Sequence, residues 1–179
     1  MKKLLTAAAI AFVVLAILAA RPLMRGKGQI ATDTPGVELI LHGPWGFTCT
    51  ITSPDEPRTV RAGVYRPAQL HRTIQREPAS GSETAETWQM YSTGPWGDIA
   101  RIDVNEGQAT ILSFNAPATA GVNVDIVRPY VNLGLRIVGP NGEHYDPVIR
   151  KNGRNTAKPK LTIFDEAGSQ LHAGSFEFG

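Results

Sequence analysis

Beyond residue 36, the sequence consists largely of short segments in which apolar and polar residues alternate. A period of two is typical of β-strands, because successive side chains point to opposite faces. The segment at residues 47–52 shows the pattern clearly, with Phe47, Cys49 and Ile51 alternating with threonines. Gly, Pro, Asn and Asp separate the segments, as expected of turns. The pattern predicts an all-β domain, a β-sandwich of about ten strands.

The predicted strands cover residues 37–42, 47–52, 58–62, 65–75, 87–92, 100–104, 109–114, 122–126, 133–137, 161–164 and 170–178. The segment at 65–75 is ambiguous because Pro67 interrupts it, and proline cannot donate a hydrogen bond to a neighbouring strand. In the last strand the apolar phase changes across residues 174–175. This change predicts a β-bulge that turns four apolar side chains toward the core. Those four are Leu171, Ala173, Phe176 and Phe178.

A continuous apolar run precedes this region, at residues 4–20, and Thr6 is its one polar member. As a helix these 17 residues would span about 25 Å, slightly less than the ~30 Å core of a bilayer. That length is typical of a long signal-peptide core and of a short membrane anchor. We therefore expect residues 1–20 to be a signal peptide or a transmembrane anchor. Residues 21–36 are predicted to be a linker, and residues 37–179 the β-sandwich domain.

Basic residues flank the apolar run on both sides, with Lys2 and Lys3 before it and Arg21, Arg25 and Lys27 after it. The distribution of positive charge therefore leaves the orientation open. A basic start followed by an apolar core favours export of the C-terminal part. We expect a location in the cell envelope, either anchored in the inner membrane with an exported domain or periplasmic or secreted after cleavage. A domain that faces the cytoplasm is the remaining alternative.

The formal net charge is +2, but the positive sign comes from the N-terminal end. Five of the 18 basic residues precede position 28, which leaves 13 basic against 16 acidic residues in the rest of the chain. A domain with this slightly acidic balance is not expected to bind nucleic acid. Cys49 is the single cysteine, so an intrachain disulfide and a zinc site of the CxxC type are excluded. We interpret Cys49 as a small buried apolar side chain.

The tetrapeptide Gly-Pro-Trp-Gly occurs twice, at residues 43–46 and 94–97. Each copy follows an apolar segment and precedes an alternating one. The repeat indicates either a duplicated β unit or one turn conformation that the chain uses twice. We favour the shared turn, because proline and glycine are both turn residues.

The loop aromatics are candidate ligand-binding residues, because exposed aromatic rings stack on the apolar faces of sugars. The competing interpretation is that these rings line the core, which is the more common environment of tryptophan. The candidates are Trp45, Trp96, Tyr65 and Tyr130.

Glu143, His144, Tyr145 and Asp146 place several titratable groups in consecutive positions. In a strand, Glu143 and Tyr145 would share one face while His144 and Asp146 share the other. The sequence contains no Gly-x-Ser-x-Gly motif and no glycine-rich phosphate loop. We therefore interpret this stretch as a solvated hairpin edge, and we expect no catalytic residue, no metal site and no cofactor.

The C-terminal part of the chain resembles exported bacterial β-domain proteins of unassigned function. The resemblance is carried by Gly142-Glu143, Tyr145, Arg150, Gly153, Pro159, Leu161-Thr162-Ile163, Asp165, Gly168, Gly174, Phe176 and Phe178-Gly179. Residues 61–65, Arg-Ala-Gly-Val-Tyr, resemble a turn that delivers a tyrosine into a strand in immunoglobulin-like and prealbumin-like sandwiches. The resemblance implies a β-sandwich and implies no catalytic residues.

The function that the sequence predicts is that of a non-catalytic envelope domain, membrane-anchored or secreted, that binds a partner protein or supports an assembly. A carbohydrate-binding module is one alternative, with a polysaccharide as partner and loop tryptophans as its site. An enzyme or enzyme subunit with a site near His144 is the other alternative.

Overall fold

The computed structural model describes residues 26–53, 56–77 and 85–176, which form an all-β structure with 3₁₀ turns at Pro44–Gly46 and Gly97–Ala100. The prediction of an all-β fold is confirmed. The strands are β1 Lys27–Thr32, β2 Val37–His42, β3 Thr48–Thr52, β4 Arg58–Arg61, β5 Gly63–Arg76, β6 Glu86–Ser92, β7 Ile102–Val104, β8 Ala109–Leu112, β9 Thr119–Val127, β10 Tyr130–Val138, β11 His144–Tyr145, β12 Arg150–Lys151, β13 Arg154–Asn155, β14 Lys160–Phe164 and β15 Gln170–Ser175.

The apolar run at residues 4–20, with its predicted helix, lies outside the described residues. Within the residues that the structure does describe, none of the helical segments is long and apolar enough to cross a bilayer.

The largest sheet has the strand order β13-β12-β6-β5-β2-β3, with β7 paired to β5. Its longest strand is β5, a single strand of 14 residues that includes the ambiguous segment around Pro67. The register between β2 and β5 shifts between Ile40 and Leu41, so that Leu41 lies opposite Pro67 and Ala68 is skipped. Pro67 is accommodated because the ladder of hydrogen bonds is already interrupted at this irregularity.

A second sheet, β4-β1-β8, begins inside the segment predicted to be a linker. β1 pairs antiparallel with β4 and parallel with β8, so the fold includes Lys27–Thr32, which precede the predicted domain start at Val37. Ile30 and Thr32 of β1 are buried. The sequence of β1 did not indicate a strand, because Ile30 is its only large apolar residue.

The core lies where the strands of the largest sheet meet β1 and the segment after β8. Leu39, Leu41, Leu70, Ile30 and Phe114 are all nearly or fully buried there. Burying a side chain of this size contributes about 1.5–3 kcal/mol. Two further residues, Ile137 and Tyr145, join the same cluster from a third sheet, β11-β10-β9.

The C-terminal hairpin, β14-β15, departs from the predicted bulge. The register shift lies at the turn end, where Ile163 pairs with His172 and Phe164 with Gln170, so that Leu171 is skipped. Gly174 pairs regularly with Leu161, and Leu171 and Ala173 are exposed. The predicted bulge at residues 174–175 and the predicted burial of Leu171 and Ala173 are therefore wrong, while Phe178 lies outside the described residues. The turn sets the register, since Asp165 accepts hydrogen bonds from the backbone of Gly168 and, through its carboxylate, of Ser169.

The two Gly-Pro-Trp-Gly copies adopt different conformations. The first closes the β2-β3 hairpin, with Trp45 at a φ of 64°. The second leads from β6 toward β7, with Gly94 at a φ of 106° and Trp96 at a φ of −102°. The prediction of one turn conformation used twice is wrong, because the residues around each copy determine its backbone.

Candidate functional site

β9 and β10 form an antiparallel ribbon of nine residues per strand. The register places Val122 opposite Leu135, Val124 opposite Leu133 and Ile126 opposite Val131. Residues directly opposite each other in an antiparallel pair share a face. One face of the ribbon is therefore entirely apolar along three successive cross-strand pairs. This apolar ribbon face consists of Val122, Val124, Ile126, Val131, Leu133 and Leu135.

The apolar ribbon face lies largely in solvent. The exposed fractions of Val124, Ile126 and Val131 are 60%, 68% and 58%, whereas Leu133 and Leu135 are half-buried. An amphipathic sheet normally packs its apolar face on a core. Exposed contiguous apolar patches on soluble proteins commonly mark interaction sites. The apolar ribbon face is therefore the strongest candidate for a functional surface.

The opposite face of the ribbon is polar. It carries Asn123, Asp125, Asn132 and Arg136, with Val127 and Tyr130 beside the turn at the tip. The charged side chains of the two strands, Asp125 and Arg136, thus both lie on this face. The apolar ribbon face has no charged residue among its six members.

The base of the ribbon is fixed by buried groups. Ile137 near the end of β10 is 7% exposed, and a tight loop then connects β10 to β11. In this loop the Gly139 N–H donates to the Glu143 carbonyl over 2.8 Å. The Glu143 side chain is fully buried, and its carboxylate accepts hydrogen bonds from the Asn141 N–H at 2.9 Å and the Tyr145 hydroxyl at 3.0 Å.

Tyr145 and Arg72 complete a buried polar network at this base. Burial raises the pKa of the Tyr145 hydroxyl, and the neighbouring Glu143 carboxylate raises it further, while the Arg72 guanidinium acts in the opposite direction. Arg72 is 6% exposed and donates to the Ala116 carbonyl at 3.3 Å. Its Nε is the one buried side-chain polar atom without a partner in the part of the chain that the structure describes. The network ties β11 to β5 and to the segment before β9.

The prediction for residues 143–146 is partly confirmed. Glu143 and Tyr145 share one face and His144 and Asp146 are more exposed, as alternation requires. The interpretation as a solvated hairpin edge is wrong for Glu143 and Tyr145, which are 0% and 4% exposed. Within the described residues, His, Cys, Asp and Glu side chains do not gather in a group of three that could hold a metal ion.

The second Gly-Pro-Trp-Gly copy and the residue after it contact the loop between β10 and β11 at the base of the ribbon. The Asp98 N–H donates to the Asn141 carbonyl at 2.7 Å, and the His144 N–H donates to the Pro95 carbonyl at 2.8 Å. Gly97 lies so close to the loop that a Cβ atom there would overlap the backbone of Asn141 and Gly142. These contacts fix the end of the ribbon that joins the core.

The structure does not bring the four candidate aromatics together. Trp45 is 61% exposed at the β2-β3 turn, and Tyr130 is 70% exposed at the ribbon tip. Trp96 is half-buried against the core. Tyr65 is 3% exposed, packs against Gly43 and donates its hydroxyl to the Arg61 carbonyl at 2.9 Å.

A shallow pocket of about 200 Å³ lies on the largest sheet, lined by residues that include Glu38, His71 and Tyr91. The rings of His71 and Tyr91 stack at a centroid distance of 4.4 Å, and the Arg150 guanidinium lies 5.7 Å from the centre of the Tyr91 ring. Glu38 approaches His71 to 3.9 Å. These side chains contact one another across neighbouring strands, so we interpret the arrangement as one that stabilises strand pairing.

Comparison with known proteins gave no match, whether against protein-family models, curated protein sequences or solved structures. The resemblance to exported β-sandwich proteins therefore stays a prediction.

Proposed function

We propose that this chain is a non-catalytic β-sandwich domain of the cell envelope that binds a partner protein through the apolar ribbon face. The observation that carries the proposal is the exposure of Val124, Ile126 and Val131 on a face without charge. Removing apolar surface from water contributes about 25 cal/mol per Å². A two-stranded ribbon is also marginally stable by itself, so a covering partner would order it.

The arrangement of the core supports a sandwich. Leu39 and Leu70 of the largest sheet belong to the same buried cluster as Ile30 of the β4-β1-β8 sheet. Two sheets that share one apolar core are the defining feature of a sandwich.

The position of the ribbon supports a protein partner over a lipid surface. The Gly107 N–H donates to the Lys27 carbonyl at one end of β1, and Thr32 pairs with Leu112 at the other. From Leu112 the chain continues to the base of β9. Lys27, the described strand residue nearest in sequence to the predicted anchor, therefore lies at the end of the sheet away from the ribbon base, separated from it by the ~20 Å length of β1.

The proposal is tested by photo-crosslinking in cells that produce the full chain. A photoreactive amino acid replaces Val124 on the apolar ribbon face or, as the matched control, Asn123 on the polar face. We expect a protein adduct of defined mass from position 124 and none from position 123. Ile126→Asp, introduced together with the probe at 124, should remove the adduct. Equal adducts from both positions, or none from position 124, would contradict the proposal.

A carbohydrate-binding function has one specific observation in its favour. Trp45 and Phe47 are 61% and 59% exposed in the same turn, and Trp45 adopts a left-handed backbone conformation that aromatic residues rarely adopt. Titration of envelope polysaccharides against tryptophan fluorescence tests this function. A saturable change that Trp45→Ala abolishes and Trp96→Phe retains would support it. An unchanged signal in the unmodified protein would exclude it.

A further inference from the structure

We infer that a pocket between the β2-β3 turn and β4 binds a carboxylate-bearing sugar unit of an acidic polysaccharide. The pocket has a volume of about 220 Å³, and the residues that line it include Phe47, Cys49, Arg58, Arg61 and Tyr65. None of these residues belongs to the apolar ribbon face, so the inference goes beyond the proposed partner protein. It rests instead on the carbohydrate-binding alternative, to which it assigns a site and a ligand class.

The first argument is the charge of the pocket. Among the described residues that line it, two are arginines, Arg58 and Arg61, and none is acidic. Neither guanidinium is ion-paired with a carboxylate in the part of the chain that the structure describes. A guanidinium presents its N–H groups in a planar fork that matches the two oxygens of a carboxylate. The pocket is therefore complementary to a carboxylate.

Neighbouring groups already hold the two arginines in place. Nη1 of Arg58 donates to the Thr50 carbonyl at 2.7 Å, which fixes the guanidinium and uses one of its several N–H donors. The guanidinium carbon of Arg61 lies 5.7 Å from the centre of the Phe47 ring, within the range of a cation–π contact. Side chains that are ordered in advance lose less conformational entropy when a ligand binds.

The second argument is the apolar surface beside these charges. The Phe47 ring is 59% exposed at the end of the turn that contains Trp45, so an aromatic surface is open to the apolar face of a sugar ring. Tyr65 lines the pocket from β5, and its hydroxyl donates to the Arg61 carbonyl of β4 at 2.9 Å. Burial raises the pKa of the Cys49 thiol, so this side chain is neutral near pH 7 and does not repel a carboxylate.

The third argument is size. Pockets for drug-sized ligands commonly measure ~300–1,000 Å³. A pocket of about 220 Å³ is smaller and suits a single ring-sized unit. Ion pairs between exposed groups are individually weak, and both arginines are exposed. A polymer that repeats the same unit compensates for this weakness, because the next unit is present at a high effective concentration when one is released. These points favour an acidic polysaccharide over a free monosaccharide.

The experiment measures binding of the full chain to polygalacturonate, in which each sugar ring carries a carboxylate, by isothermal titration calorimetry. Methyl-esterified polygalacturonate is the matched ligand, because esterification removes the charge and keeps the sugar. We expect saturable binding to the free acid. Binding to the ester should be at least about tenfold weaker, because the charge-assisted hydrogen bonds to the guanidinium groups are lost.

Arg61→Gln should weaken binding to the free acid at least about fivefold, because glutamine has neither the charge nor the planar fork. Arg66→Gln is the matched control, since Arg66 is exposed and follows Tyr65 on β5, so its side chain points to the opposite face. This control should change binding by less than about twofold. Thermal denaturation confirms that both variants fold. Equal losses in the two variants would show unspecific attraction to positive charge and overturn the inference.

The other outcomes separate the inference from the two candidate functions. Equal binding to the acid and the ester would overturn the inference and leave a carbohydrate-binding function standing. Equally tight binding to poly-glutamate would assign the pocket to an acidic peptide and overturn the inference, as would the absence of saturable binding to either polysaccharide. The photo-crosslink at position 124 should persist in the Arg61→Gln variant, so failure of the inference and failure of the proposed partner protein are distinguishable.

Discussion

The Tyr145 hydroxyl donates a hydrogen bond of 3.0 Å to Oε1 of Glu143, and both side chains are buried at the base of the β9-β10 ribbon. The other carboxylate oxygen of Glu143 accepts from the Asn141 N–H. This pair holds the loop that turns β10 back into the core. The projecting ribbon therefore depends on polar groups that are almost completely removed from water.

Tyr145→Phe should lower the free energy of unfolding by about 1–2 kcal/mol, because it leaves a buried carboxylate oxygen of Glu143 without its donor. Tyr91→Phe is the control, since Tyr91 is half-buried and stacks on His71 through its ring. We expect the control to change stability by less than about 0.5 kcal/mol. Urea denaturation measures both. Equal effects of the two substitutions would show that the Tyr145 hydroxyl has no structural role.

Stability should also fall at alkaline pH. The pKa of Tyr145 is raised above its ordinary value of 10.0, so the folded state retains a proton that the unfolded state loses. The stabilisation is complete below about pH 10 and decreases as pH rises further, by up to ~1.4 kcal/mol per pH unit. The stability difference between the unmodified protein and Tyr145→Phe should therefore shrink above pH 10. A difference that stays constant from about pH 8 to pH 11 would contradict this assignment.

Two isoleucines of the ribbon should respond to the same substitution with very different losses of stability. Ile137→Ala, at the buried base, should destabilise the protein by about 2–4 kcal/mol because it leaves a cavity. Ile126→Ala, on the exposed face, should change the free energy of unfolding by less than about 0.5 kcal/mol in the monomer. Thermal denaturation at low protein concentration compares them. A large effect of Ile126→Ala would mean that the face is covered within the monomer.

Gly97→Ala should displace the ribbon base. Gly97 has a φ of 54°, and a Cβ atom would overlap the backbone of Asn141 and Gly142. Gly107 is the matched control, since it has a φ of 70° and open space around it. Gly107→Ala should cost about 1–2 kcal/mol from the left-handed conformation alone, and Gly97→Ala clearly more. Amide hydrogen exchange of β10 and β11 should rise only in the Gly97 variant. Equal losses of stability and equal amide exchange in the two variants would show that the close contact between Gly97 and the loop does not hold the ribbon base in place.

Local alternation was sufficient to predict several strands closely. Val37–His42 was predicted with its observed bounds, and the segments that became β9 and β10 were recognised by their apolar residues at every second position. β1 was missed because its buried positions include Gly28 and Thr32, and its pairing with β8 joins residues far apart in the chain. The bulge was predicted at the wrong place in β15, since the turn after β14 and not the apolar phase sets the register.

The four candidate aromatics could not be sorted by sequence. Each follows or enters a turn, yet Tyr65 is in the core and Trp45 is in solvent. Whether such a ring is buried depends on which strands pack over its turn, and this packing is a property of the tertiary fold.

The sequence by itself determined the all-β class and the amphipathic character of β9 and β10, because side-chain alternation and turn residues act over a few neighbouring positions. Only the tertiary structure decided that the apolar face of these two strands is exposed, since exposure depends on whether another layer covers it. It likewise decided that Glu143 is buried, because the donors from Asn141 and Tyr145 compensate its loss of water only when the loop has closed.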